Sequence, residues 1–168
     1  SAWRDGYQIQ SVTTPDIELG GGLQGAGIIF RSNFTPNQDS MAAIEYSTDG
    51  GATWRPALIM LDGDNIVPDD ALATMTTPYD DVPDPAGAFP GTYGVHLLSP
   101  VQEMGPFLSG RVNDDQSGSD RIEAIRLEGL DGQARVRFRF VSVGTDSWWW
   151  GVDDFGVYGT EGAANPAE

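Results

Sequence analysis

The stretch ARVRFRFVSV, residues 134–143, alternates arginine with apolar side chains. Successive side chains of a β-strand point to opposite faces, so Val136, Phe138 and Phe140 share one face and Arg135, Arg137 and Arg139 the other. A strand with one apolar and one charged face belongs in an antiparallel sheet packed on one side. An arginine stripe invites an anionic ligand, but acids on neighbouring strands are the plainer partners.

Other segments read the same way. YQIQSV (7–12) alternates, TTPDIELGGG breaks the pattern with proline and glycine, and GAGIIFRSNF (25–34) resumes it with β-branched and aromatic residues. MAAIEYSTDGGATWRPALIML (41–61) reads as a hairpin in which Ile44 and Tyr46 share one face and Glu45 takes the other. VHLLSPV (95–101) is strand-like, and VNDDQSGSD (112–120) is a polar loop. Residues 62–94 hold seven aspartates and five prolines with no periodicity, the composition of a long acidic loop. No long helical pattern and no internal repeat is visible. Many short strands spaced by turns predict an all-β fold, an antiparallel two-sheet β-sandwich. One domain is expected over 1–160, with 161–168 as a flexible tail or linker.

Composition narrows the function classes. The 168 residues include nine arginines, no lysine and 25 acids, a net charge of −16. Such a surface repels phosphate, which argues against nucleic acid and against an anionic membrane. It suits a salty medium, a cationic partner or divalent metal, and plain solvation is the simplest reading. The absence of cysteine removes thiolate nucleophiles, thiolate zinc sites and disulfides. No apolar run reaches the roughly eighteen residues of a membrane-spanning helix. The chain begins SAWRDG, which reads as a piece of a longer protein.

Catalytic motifs are sparse. His96 is the lone histidine, lies among apolar neighbours and has no nucleophile elbow to serve. GGGLQGAG (20–27) lacks the lysine and helix of a phosphate loop. Acids are too abundant for any chosen pair to mark a glycosidase. STDGGATW (47–54) fits the Asp-box pattern, in which Asp49 accepts backbone N–H bonds across a glycine-rich turn and Trp54 packs beneath it. A single copy is a structural turn, since propellers repeat such a motif blade by blade.

The closing stretch SWWWGVDDFGVYG (147–159) holds three tryptophans and two aspartates. Asp153 shares parity with Phe155 and Val157, and Asp154 with Val152. If Phe155 and Val157 point inward, so does Asp153. A buried carboxylate then needs an arginine, a set of backbone N–H groups, or Ca²⁺, of which Ca²⁺ is the most economical in so acidic a chain. A β-bulge would exchange the two aspartates. Trp150 is expected to be structural. Trp148 and Trp149 are the candidates for stacking on sugar rings, with Tyr79, Phe89 and Tyr93 of the long loop as an adjacent wall.

The order TTPDIEL, IEYSTDGGATW, LDGQARVRFRF and WWGVDDFGV resembles the bacterial MAM-like or "choice-of-anchor J" modules over roughly residues 11–158. The resemblance implies a concanavalin-like jelly-roll and a secreted or surface-exposed, non-catalytic module of an adhesin, a peptidase or a polysaccharide-degrading enzyme. It also implies a structural Ca²⁺ held by Asp153 or Asp154 with Asp39, and more weakly by Asp16 and Glu18. The chain lacks the "FE" opening strand of that group. The function expected is binding of carbohydrate or of a cell or matrix surface. A scaffold role against neighbouring domains of the parent protein is the alternative, and a glycan-acting enzyme the less supported third.

Overall fold

A computed structural model of the protein describes residues 8–20, 22–35, 41–62, 97–111, 120–144 and 149–161. The acidic stretch from 63 onward, His96, the loop at 112–119 and the tail from 162 lie outside the described residues. Nine strands are described: β1 (Gln8–Thr13), β2 (Ile17–Glu18), β3 (Leu23–Thr35), β4 (Met41–Ser47), β5 (Arg55–Asp62), β6 (Leu108–Arg111), β7 (Asp120–Arg126), β8 (Arg135–Gly144) and β9 (Trp149–Glu161). Three single turns of 3₁₀ helix, at Val101–Glu103, Gly105–Phe107 and Glu128–Leu130, are the helical elements among them.

The strands form two sheets. One has the order β1-β8-β4-β5-β6, with β2 also beside β8, and the other the order β7-β3-β9. The all-β, two-sheet expectation is met. Pairing is not antiparallel throughout, because β5 and β6 run parallel, with Ile59 opposite Leu108 and Asp62 opposite Arg111. Residues 63–107 intervene, and so long a connection permits the crossover that parallel pairing requires.

The arginine-striped strand β8 lies inside the larger sheet, antiparallel to β1 and β2 on one side and to β4 on the other. Its Val136 and Phe138 join Ile44, Tyr46, Leu58 and Met60 of the same sheet and Ile28, Phe30 and Phe34 of the other in one buried core. The opposite face of β8 carries the arginines, and acids meet them. Arg137 Nε donates to Asp16 Oδ1 at 2.9 Å, Arg135 lies 3.8 Å from the same carboxylate, and Arg139 Nη1 donates to Glu45 Oε2 at 2.5 Å.

Further along that face β8 turns apolar, and Val141 and Val143 pack with Met41, Ala43, Ile59, Leu61, Leu97 and Met104 in a second core. Strand β4, in the middle of the larger sheet, is therefore covered on both sides, and every one of its residues is buried. The cover includes Leu97 and Met104, with Leu108 at the start of β6 packed beside them. It is fastened by Glu45, whose side chain is fully buried. Glu45 Oε1 accepts the Leu98 N–H at 2.8 Å, the Ser99 N–H at 2.7 Å and the Ser99 hydroxyl at 2.6 Å. The strand expected over 95–101 is accordingly not formed in its described part, 97–101. Its amides at 98 and 99 are spent on a side chain instead of a strand ladder.

The β4–β5 hairpin closes on the Asp-box turn as expected. Asp49 Oδ1 accepts the Thr53 N–H at 2.9 Å and the Ser47 hydroxyl at 2.7 Å, Oδ2 accepts the Thr53 hydroxyl at 2.5 Å, and the Trp54 indole donates to the Gly51 carbonyl at 3.1 Å. Gly50 and Gly51 have φ of 76° and 96°, which other residues rarely adopt. A bulge at Ala57 in β5 sets Glu45 opposite Pro56, and a bulge is one of the places where a strand accommodates proline.

Two outcomes follow. Glu45→Ala leaves Arg139 and the Leu98 and Ser99 amides without their acceptor, at a cost of about 3–5 kcal/mol. Urea unfolding measures that loss, and hydrogen exchange at Leu98 and Ser99 should accelerate beyond the global change. The Thr53 hydroxyl, the Thr53 N–H and the Ser47 hydroxyl hold the Asp49 carboxyl well below its ordinary 3.8. A depressed acid adds stability above its unfolded value that is lost as pH falls through the folded one. Stability should thus decline as pH drops below about 4, and Asp49→Asn should remove that part of the slope in urea melts at stepped pH.

Candidate functional site

The smaller sheet packs one face on the core and leaves the other open. On β3 the even-numbered Ile28, Phe30, Ser32 and Phe34 are buried, while Ile29 and Arg31 are exposed and Asn33 half-buried. Register places the outward residues in rows across the sheet. Asn33 lies between Asp120 and Gly151, Arg31 between Ile122 and Asp153, Ile29 between Ala124 and Gly156, and Gly27 between Arg126 and Tyr158.

Strand β9 changes phase within this sheet. Trp150 pairs with Phe34 and Val152 with Ser32, so even-numbered residues face inward there. Beyond the aspartates Val157 pairs with Ile28, so odd-numbered residues face inward. One extra residue in β9 between the Arg31–Asp153 and Ile29–Gly156 pairs makes the switch, and Asp154 sits there at φ 53°. Aspartate tolerates this left-handed conformation better than most residues. The bulge lets both Trp150 and Phe155 reach the core. Trp150 packs edge-on against Phe34 at 6.5 Å and lies 5.9 Å from Phe140, and its indole donates to Ser32 Oγ at 3.2 Å. Phe155 meets Phe138 and Phe140 edge-on at 5.0 and 5.1 Å.

The expectation that one aspartate points inward is therefore corrected. Both Asp153 and Asp154 are exposed, because the bulge turns the chain over between them and Phe155. Asp154 Oδ2 accepts from Arg31 Nε at 3.1 Å, and the Asp154 N–H donates to Asp153 Oδ1 at 2.8 Å. Ca²⁺ takes about six to eight oxygens. Two neighbouring surface carboxylates, one of them engaged by an arginine, supply only part of such a shell. No group of three or more His, Cys, Asp or Glu suited to a metal occurs among the described residues. Asp39 lies outside them, Asp16 is occupied by Arg135 and Arg137, and Glu18 is exposed on β2.

Of the expected ligand residues, Trp148, Tyr79 and Tyr93 lie outside the described residues, as does Phe89. Trp149 stands on the open face, 51% exposed, with its indole N–H donating to Asn33 Oδ1 at 2.9 Å. That bond fixes the ring against the sheet while leaving it accessible. The sequence reading missed Tyr158, which is 53% exposed on the same face. A Cβ added to Gly156 would meet its phenol end at 2.6–2.8 Å, so the side chain folds back along β9 over that glycine. An aromatic ring laid over a strand glycine compensates for the missing side chain. The recoverable signal was the pair Gly156 and Tyr158, two apart on one strand. Ile29 and Ile122 complete the apolar part of the surface, and Ile122 is 65% exposed.

No helix among the described residues is long and apolar enough to cross a membrane. No family model, no curated protein and no solved structure matches the chain.

The bulge can be tested by its backbone. Asp154→Gly suits the positive φ and gives up only an exposed ion pair, so urea unfolding should change by less than about 1 kcal/mol. Asp154→Val, β-branched at the same φ, should cost about 1–3 kcal/mol.

Proposed function

We propose that this chain is a non-catalytic β-sandwich module of jelly-roll type, similar to the MAM-like modules, that binds carbohydrate or a cell or matrix surface as part of a secreted or surface protein. The observation that carries this reading is Trp149, a half-exposed indole fixed by Asn33 on an open sheet face. Sugars present flat C–H faces, and a ring held in place binds them without the entropic cost of ordering it first. Neighbouring Asn33, Arg31, Asp153 and Asp154 supply hydrogen-bonding groups beside the ring, the mixture of aromatic and polar groups that suits a sugar.

A binding role also accords with the state of the buried acid. Among the described residues Glu45 is the one buried charged side chain, and Leu98, Ser99 and Arg139 engage both its oxygens. An acid so occupied serves the fold. Calcium enters the proposal through Asp153, Asp154 and Asp39 acting together. The second reading is an accessory domain, in which a neighbouring domain would cover Ile122, Ile29, Trp149 and Tyr158 on this face.

A glycan array, run in calcium and again in chelator, tests these readings. Binding is expected to at least one glycan and should weaken about tenfold in Trp149→Ala, on the scale of one stacked ring. Loss in chelator would add the metal to the site. Silence across the array in both conditions would leave the accessory-domain reading in place.

A further inference from the structure

The two exposed aromatic residues of β9 stand apart on one face. Trp149 occupies the Thr35 row and Tyr158 the Gly27 row of the three-stranded sheet. Nine residue steps separate them along β9, on the order of 25–30 Å at strand rise. Between them the outward positions on the flanking rows are small: Gly151, Gly156 and Ala124. A Cβ at Gly151 would meet nothing closer than 3.9 Å, so the strand surface there is open. Ile29 and Ile122 form the floor and one side.

Charge selects what such a trough takes. Arg31 is the arginine in mid-face, and Asp154 pairs with it at 3.1 Å. Arg126, on the Tyr158 row, is bound to Asp131 and donates to the Ala26 carbonyl at 2.6 Å. Asp120 and Asp153 add negative charge to the same face, in a chain of net charge −16. An anionic polymer would meet repulsion here and, among the described residues, no uncommitted cation in mid-face.

Building on the carbohydrate reading above, we infer that the outer face of β7-β3-β9 is the binding surface, and that its ligand is an extended, uncharged polysaccharide lying along β9 across Trp149 and Tyr158. Each ring stacks on a sugar face, and Asn33, Arg31 and Asp153 lie between the rings to accept or donate hydrogen bonds. A chain that spans both rings gains the second stack without a second loss of translational freedom, so affinity depends on ligand length.

Affinity electrophoresis of the whole chain tests this in gels containing β-glucan, xylan, mannan or galactan, with alginate and polygalacturonate as the anionic arms. Retardation is expected in at least one neutral gel and in neither anionic one. It should weaken about tenfold in Trp149→Ala and also in Tyr158→Ala, and persist in Tyr158→Phe, which keeps the ring. For the retarding polymer, a hexasaccharide should compete better than its disaccharide. Thermal melts of each variant confirm that the fold is intact, and both side chains lie on the surface. Retardation lost in Trp149→Ala but unchanged in Tyr158→Ala overturns the two-ring surface while sparing the carbohydrate reading. Retardation unchanged in both variants moves the site off this face. Retardation only by the anionic polymers overturns the ligand class. No retardation in any gel overturns this inference together with the carbohydrate reading it rests on.

Discussion

The buried carboxylate of Glu45 holds the larger sheet to its outer cover. A charge removed from water costs several kcal/mol unless its oxygens are fully engaged. Here Oε1 takes three donors from Leu98 and Ser99, and Oε2 takes Arg139. One residue thereby ties β4, β8 and the segment leading toward β6 into a unit. Leu97 and Met104 of that segment share an apolar cluster with Val141, Val143 and Ile59. The smaller sheet, by contrast, buries one face and leaves the other exposed.

The second constraint is the phase of β9. A regular strand could not bury both Trp150 and Phe155, which differ in parity. The extra residue at Asp154 resolves the conflict and places two aspartates outside together. The same bulge brings Asp154 onto Arg31 and leaves Trp149 and Tyr158 on the outer face at either end of the strand. One backbone irregularity thus completes the aromatic core on one side and arranges the open surface on the other.

Charge in this chain divides into two populations. Arg31, Arg126, Arg135, Arg137 and Arg139 each meet an acid of the same chain. These five arginines are structural partners, and the acid in excess gives the molecule its net charge. A surface of this charge repels anions.

The sequence by itself determined the faces of the regular strands, though the strand expected over 95–101 did not form in its described part. Alternation along 134–143 assigned Val136 and Phe138 inward and the arginines outward, because the two-residue period is a property of the backbone. The Asp-box turn was legible for a similar reason, since Asp49, Gly50, Gly51, Thr53 and Trp54 act within one turn. Trp150, Phe155 and Val157 were also recognisable as core, whereas Val152, read with them, is exposed, and the change of parity between Trp150 and Phe155 carried the bulge unread. What only the tertiary structure decided depends on residues distant in sequence. Glu45 meets Ser99 and Arg139 across 54 and 94 positions, and no local pattern announces such a partnership. The parallel β5–β6 pair, the outward turn of both aspartates and the shared face of Trp149 and Tyr158 were settled in the same way. Strand parity fixes which side of a strand a residue takes, but register, bulges and sheet order decide what it meets there.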